Sequence, residues 1–431
     1  MVGMRDVARK AGVSLSTVSL VVNGNGYVST EMRARVTAAM KSLNYVPNEL
    51  ARNLYHDRTN MVGVIVPTIR HPFFATLVAG LQGRLFDAGY RTIVCSTADM
   101  GSGEDQYVDM LRRHMMDGLI MVGHTTHPAD YWTSIRRPIV AFDRYLGASI
   151  PSIGSDHEQG GELAATMFAL TGVRHVVEIG GPRSQYNDLL SADMKGGQGT
   201  PRQSAPDPTA QPNTSDATAQ PSTSDATAQP AAAIDVDLDH LGGNTTFPPV
   251  RYHLAFERTL DLAGIRWDYL EVPDVSDFSA FESVAREAFD RFPEADAIVA
   301  PDMAAAFCVQ EALRRGVRVP DHMQIMAYDG TYVTDLAGMR ITSILQDFDS
   351  LVETVSQRMI AEMGGSDDAG TNPDPNVAGT TVEPAAPVPA PAPGLVGDLI
   401  PMQVKLGETT RMTDAVHQLL FGPDSTPAQT D

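Results

Sequence analysis

The sequence predicts a small all-α head followed by an α/β body with parallel, doubly wound sheets. Residues 1–45 hold three helical patterns separated by Gly- and Ser-bearing turns, with no strand-like run. From residue 61 onward short, β-branched apolar runs recur: MVGVIVP (61–67), RTIVCS (91–96), DGLIMVG (117–123), RPIVAFD (137–143), RHVVEIGG (174–181), DAIVAPD (296–302) and QIMAYDG (324–330). Apolar runs without alternation fit strands covered on both faces. Helical patterns such as FFATLVAGLQGRLFDAGY and MAAAFCVQEALRRGV lie between them, and this alternation implies parallel sheets whose ligands sit at the carboxyl ends of the strands. With 431 residues and 43% apolar content, the chain can fill about two or three domains.

In the head, MRDVARKAG places Met4, Val7, Ala8 and Ala11 at helical spacing and stops at Gly12. Ser14 is a suitable N-cap for a second helix, VSLSTVSLVVN, whose Val18, Val21 and Val22 can face inward. The turn NGNG (23–26) follows, and Ser29 can cap a third helix in which Val36, Ala39, Met40 and Leu43 form the inward stripe. Two helices joined by a short glycine-bearing turn, with a third closing the core, make a helix-turn-helix.

Charge says what such a head is for. The chain has a formal net charge of -21, yet residues 1–60 hold eight Lys/Arg (Arg5, Arg9, Lys10, Arg33, Arg35, Lys41, Arg52, Arg58) against four Asp/Glu. A basic head on an acidic body suits a protein whose head alone meets phosphate. The second helix is uncharged, but Ser14, Ser16, Thr17 and Ser19 crowd hydroxyls at its start, where backbone N–H groups also take phosphate. DNA binding is therefore expected from the residues alone.

Two segments break the globular pattern. From 183 to 247 the chain becomes polar and repetitive, with DPTAQPNTS, DATAQPSTS and DATAQP setting Pro212, Pro221 and Pro230 nine residues apart. No repeat position offers an apolar face, so a disordered insertion is expected rather than a stacked repeat. A second, Pro-rich insertion spans 364–397.

MRDVARKAGVSLSTVSLVVNGNGYVSTEMRARVTAAMKSLNYVPNELARNL closely resembles the head and hinge of lac-repressor-type (LacI/GalR family) transcription regulators. The resemblance continues through VGVIVPTIRHPFFATLVAGL, PIVAFDR, GGP, VPDHMQIMAYDG and ITSILQDFDSLVE. It implies a repressor that binds a palindromic operator of double-stranded DNA as a homodimer. Helix two then enters the major groove, with Leu15, Ser16 and Leu20 where the family reads bases. Ser14, Thr17 and Ser19 fall where it meets the backbone, and Asn23 closes the segment. The family's usual arginine at the position of Leu20 grips guanine; leucine can only touch a thymine methyl or a groove wall, so a different operator base is expected there. Tyr45–Thr59 resembles the hinge that folds on specific DNA, with Leu54 as the minor-groove wedge and Asn48, Ala51 and Arg52 as its companions.

The body resembles a two-lobed periplasmic sugar-binding protein, which places a small-molecule effector, a carbohydrate, between the lobes. This implies a helix-turn-helix domain at 1–45 and a hinge at 46–60. The N-lobe covers 61–156 and 346–364, the C-lobe 157–345 and 398–412, and a tail 413–431. Effector contacts carried over are His71, Phe73, Phe74, Asp143, Arg144, Asp302, Asp329 and Gln346; carboxylates suit vicinal hydroxyls and aromatic rings suit a sugar's apolar face. Two departures stand out. Pro301 replaces an amide in VAPD, and the usual arginine before Gly-Phe falls on Tyr252, with Arg251 one residue earlier.

Other classes fit less well. There is no phosphate-loop, G-x-S-x-G or H-E-x-x-H motif, so no enzyme and no cofactor is expected. Cys95 and Cys308 lie singly in apolar runs, which predicts buried thiols and no metal site. The opening MVGMRDVARKAGVS lacks an apolar stretch of signal-peptide length, and no run is long enough to span a membrane. A cytoplasmic protein, nucleoid-associated when bound to its operator, is expected. A cytoplasmic sugar-binding module without a regulatory role is the alternative reading.

Overall fold

The computed structural model describes residues 2–23, 27–46, 58–100, 103–123, 125, 127–184, 249–274, 276–365 and 397–422. The hinge positions Asn48, Ala51, Arg52 and Leu54, and nearly all of both insertions, lie outside the described residues.

The head forms α1 (Met4–Ala11), α2 (Leu15–Asn23) and α3 (Thr30–Ser42). The expected caps are present: α1 stops at Gly12 with φ 63°, and the Ser29 hydroxyl accepts from the Met32 N–H at 3.3 Å. Val7, Ala8, Ala11, Val18, Val36 and Ala39 make the core, with Val21, Val22, Met40 and Leu43 packed on it.

In the body the chain runs β1 (Met61–Val66), α4 (Pro72–Asp87), β2 (Arg91–Ser96), α5 (Thr97–Met100), α6 (Asp105–Arg112), β3 (Gly118–Met121), α7 (Ala129–Thr133), β4 (Ile139–Phe142) and β5 (Ser152–Ser155). It then crosses into α8 (His157–Leu170), β6 (His175–Gly180), α9 (Val250–Leu262), β7 (Arg266–Glu271), α10 (Phe278–Arg291), β8 (Ala297–Pro301), α11 (Asp302–Arg315), β9 (Gln324–Asp329) and β10 (Thr342–Leu345). It returns through α12 (Phe348–Gly365), β11 (Asp398–Ile400), β12 (Gln403–Lys405) and α13 (Asp414–Phe421).

The strands form two sheets, ordered β11-β5-β4-β3-β1-β2 and β12-β10-β9-β8-β6-β7. All pairings are parallel except β10 with β12. Strands β3, β6 and β8 are buried along their whole length, and β1 and β9 at all but one residue each, because helices cover both faces. One face of the first sheet packs on α4 and α12, and the other holds Trp132, Leu111 and Ile135. The second sheet is covered by α10 and α11 on one face and by α8 and α9 on the other.

One boundary differs from expectation. Residues 398–412 were assigned whole to the C-lobe, but Asp398–Ile400 pairs with Ile153–Ser155 at the edge of the N-lobe sheet. The edge of β5 left unpaired by β4 is completed there, and the chain crosses to the C-lobe only at β12. The tail beyond 412 also forms structure: Thr413 caps α13, and Val416 is fully buried in the C-lobe core.

Candidate DNA-binding head and effector cleft

On the head, the Ser14 hydroxyl accepts the Thr17 N–H at 3.1 Å and lies 2.7 Å from the Ser16 hydroxyl and 2.8 Å from that of Thr17. Ser14, Leu15, Ser16 and Leu20 are exposed, Thr17 and Ser19 are half-buried, and Val18 between them is fully buried. The spacing thus turns the three base-reading candidates outward while valine anchors the helix. Arg5, Asp6 and Arg9 of α1 and Leu15, Ser16 and Ser19 of α2 line a shared open groove. Asn23 is the last residue of α2.

One cation of the head has another task. Arg35, counted above in the basic excess, donates to the Ala11 carbonyl at 3.2 and 2.6 Å and to the Gly12 carbonyl at 3.0 Å. It satisfies the orphan acceptors at the end of α1, so its role is to join α3 to α1 rather than to wait for phosphate.

In the body, the carboxyl ends of β4 and β9 bring together residues from both lobes. Asp143 follows β4 and Asp329 ends β9, and both have positive φ, 44° and 99°. Such backbone costs about 1–3 kcal/mol per residue and gathers at functional sites. The Asp143 carboxylate accepts the Ser155 N–H at 3.2 Å and stands 3.1 Å from His157 Nε2. The Ser155 hydroxyl donates to Gln346 Oε1 at 2.7 Å, and the Gln346 amide donates to Asp329 Oδ1 at 2.7 Å. A polar chain therefore runs from one lobe's carboxylate to the other's through the crossover residue. Burial pushes Asp329 well above the usual carboxylate range, and the nearby charges of Asp302 and Asp143 add to this.

The remaining candidates divide. Arg144 is buried and donates to the carbonyls of Gly123 (3.0 Å) and Asp143 (2.8 Å), which fixes the loop after β4. His71 precedes α4 with its ring 5.4 Å from Phe74 and 6.1 Å from Phe281 of α10, so it spans the two lobes. Burial lowers its pKa to about 4, and its Nδ1 is buried without a hydrogen-bond partner. Phe73 belongs to the N-lobe core, 5.3 Å from Phe348 and 6.1 Å from Phe142, whereas Phe74 is less buried. Asp302 is committed to a turn: its oxygens accept from the Gly330 N–H (3.1 Å) and from the Thr331 N–H and hydroxyl (2.6 Å each). It shapes the exit of β9 that presents Asp329, and burial raises it to about 7.

Tyr252 is buried, its ring 4.8 Å from Tyr328 and parallel to Phe256 at 6.1 Å; its hydroxyl is buried without a partner, near enough to Glu178 and Asp329 to feel both charges. Arg251 beside it is half-buried. Behind Tyr252 lies a cluster that the sequence reading missed. Glu178 of β6 meets His253 Nδ1 at 2.7 Å, and Arg183 pairs with Glu257 at 2.5 Å while lying 3.6 Å over the Tyr269 ring. Burial raises Glu178 to about 8; burial and then the Glu178 charge raise Glu257 to about 8; burial lowers His253 to about 3. The signal was present, because RHVVEIGG sets one acid inside an apolar strand.

Three family models match in succession. They are the bacterial regulatory proteins of the lacI family at 3–48, the periplasmic binding proteins and sugar binding domain of the LacI family at 59–192, and a periplasmic binding protein-like domain at 241–384. The ribose operon repressor of Bacillus subtilis is 32% identical over 331 residues, 76% of this chain and 82% of that one. The chain belongs to the LacI family. The sucrose operon repressor of Streptococcus mutans is 40% identical over 178 residues, and like several relatives it is matched over only about half its length, here 55%. Among solved structures, the lac repressor dimer bound to operator and the anti-inducer ONPF has a TM-score of 0.65 at 20% identity, over 95% of this chain and 99% of that one. The transcriptional regulator CelR in complex with cellobiose has a TM-score of 0.53 at 20% identity, over 95% and 100%. These likenesses establish for the LacI-family chain a helical head and a two-lobed α/β body. Among the described residues no helix is long and apolar enough to cross a membrane.

Proposed function

We propose that this LacI-family protein is a cytoplasmic transcriptional repressor that binds a palindromic operator as a homodimer and is controlled by a carbohydrate held between its lobes. The observation that carries the reading is the polar chain Asp143–Ser155–Gln346–Asp329, which joins the two lobes through hydrogen bonds that a polyol can exchange for its own. A ligand whose hydroxyls engage Asp143 and Asp329 stabilises one lobe arrangement over another, and differential affinity of that kind shifts DNA binding. Phe74, beside the buried His71 ring, supplies aromatic surface on the N-lobe side, and the buried Tyr252 backs the C-lobe side. Relatives named for the sucrose and ribose operons support a sugar. The outward Leu15, Ser16 and Leu20 support base reading by α2, and two heads in a dimer suit a two-fold operator.

Gel retardation of palindromic promoter fragments near its own gene, with and without sucrose, ribose or cellobiose, tests this. The expected result is a retarded band whose affinity one sugar changes at least fivefold. No retardation of any palindromic fragment overturns the repressor reading.

A further inference from the structure

The chain enters the body at 58–60, and one side chain holds it there. Asp117, at the foot of β3, accepts the Thr59 N–H and the Thr59 hydroxyl on one oxygen, both at 2.8 Å, and the Asn60 N–H on the other at 2.7 Å. The Thr59 hydroxyl in turn accepts the Met61 N–H at 3.2 Å, and the Asp117 N–H donates to the Met61 carbonyl at 2.8 Å. Asn60 is held with φ 56°. A single carboxylate thus holds residues 59 and 60 where the chain enters the lobe, through hydrogen bonds roughly twice as strong as neutral ones.

The next residue lies under a helix that starts at the cleft. A Cβ on Gly118 would come within 2.7 Å of Met359 Sδ and 3.1 Å of Met363 Sδ, so the absence of a side chain lets the far end of α12 rest directly on β3. The near end of α12 begins two residues after Gln346, whose amide touches both Ser155 and Asp329. Its 18 residues span about 27 Å. Leu351, Val352, Val355, Met359 and Met363 make one buried stripe along it, so it is seated in the N-lobe as a rigid element.

We infer that Asp117 is a positioning residue for the effector response: it ties the root of the hinge to the far end of α12, so that a displacement of Gln346 in the cleft reaches the DNA-binding segment through Gly118 and Asp117. This rests on the repressor reading above. Coupling is a difference between operator affinities with and without sugar, and the test measures that difference.

Asp117→Asn puts an amide where an N–H must be accepted, and Thr59→Val removes only the hydroxyl while keeping the side chain's shape. Each full-length variant is titrated with the palindromic fragment upstream of its own gene, with and without the sugar among sucrose, ribose and cellobiose that shifts the wild type. Binding of that sugar is measured separately by calorimetry. In Asp117→Asn the ratio of operator affinities with and without sugar should shrink toward one, and operator affinity itself should fall about tenfold, the weight of one charge-assisted hydrogen bond. Sugar affinity should stay within about twofold, an outcome that general loosening of the lobe would not give. Thr59→Val should move the ratio the same way by less, and it decides the matter alone where Asp117→Asn fails to fold. A wild-type ratio in the folded variants overturns the inference. A wild type that retards no palindrome overturns the repressor reading, and this inference with it.

Discussion

Glu178 and His253 face each other at 2.7 Å inside the C-lobe, with Glu257 close by. Two carboxyl groups in a dry site cannot both ionise cheaply, so they hold a proton that the unfolded chain gives up. The sign follows from the shifts. Glu178 and Glu257 rise from 4.5 to about 8 in the folded protein, so the stability they lend is complete below pH 4.5 and is lost as pH rises through 8. His71 and His253 run the other way, from 6.5 down to about 4 and 3, so their contribution is present above pH 6.5 and fades as pH falls. Between pH 7 and 8 the histidines are largely neutral in both states, and the slope is set by the buried carboxyl groups, Glu178 and Glu257 together with Asp302 and Asp329. Thermal midpoints should therefore fall across that range, and Glu178→Gln, which supplies a permanent donor toward Glu257, should flatten the fall; an unchanged slope in the variant would show that the pair does not share its proton. Sequence reading named Asp143, Asp329 and Gln346, because strand ends and family motifs mark them. It passed over Ser155, His157 and the Glu178 cluster, because their partners come from strands and helices distant in sequence. The turn contacts of Asp302 escaped for the same reason: only the folded chain shows Gly330 and Thr331 on its oxygens.

Strands β1, β3, β4, β6, β8 and β9 were legible as apolar runs because helices cover them on both faces, and the edge strand β2 was legible because RTIVCS keeps an apolar run although only its last two residues are buried. The edge strand β7, RWDYLE, was not, since one side meets solvent and its residues are mixed. The crossover strands β5 and β10 were also missed: SIGS and TSIL carry buried Ser and Thr, such as Ser155, which donates to Gln346, and these break the apolar signature. Helices α8 and α9 show how tightly the cleft's supports are set. A Cβ on Gly161 of α8 would fall well inside contact distance of the Tyr252 carbonyl oxygen and 3.0 Å from the Phe256 nitrogen. Both neighbours are backbone and cannot rotate aside. Gly161→Ala should destabilise the body by about 1–3 kcal/mol and displace Tyr252, read as a lower urea midpoint together with weaker sugar binding. A variant with an unshifted midpoint would mean that the two helices part without cost.

At the scale of the molecule, the basic head and acidic body were legible from charge alone, and the two-lobed plan from the strand–helix alternation and the resemblance. The order in which the chain visits the lobes was not, because β11 is a three-residue strand whose only distinction is the edge it completes. The ends of the first insertion are gripped by the C-lobe: Arg183 donates its N–H to Glu271 at 2.9 Å and pairs with Glu257, while Val250 is buried at the start of α9. A chain in which 185–246 is replaced by a short Gly-Ser linker should accordingly keep operator binding and sugar response within about twofold, measured by the same retardation assay. Loss of the sugar response would assign the insertion a part in regulation.

The late crossing of β11 also governs how the protein is made. Residues 61–155 supply five strands of the first sheet early in synthesis, but the edge of β5 stays unpaired until residue 400 has left the ribosome. The second sheet waits likewise for β12, three residues further on. At about 5–20 residues per second the nascent N-lobe keeps an open strand edge for some ten seconds or more, the period in which such edges pair wrongly. Completion of both lobes thereby waits for residues 398–405, and a chain that stops short of residue 398 finishes neither sheet.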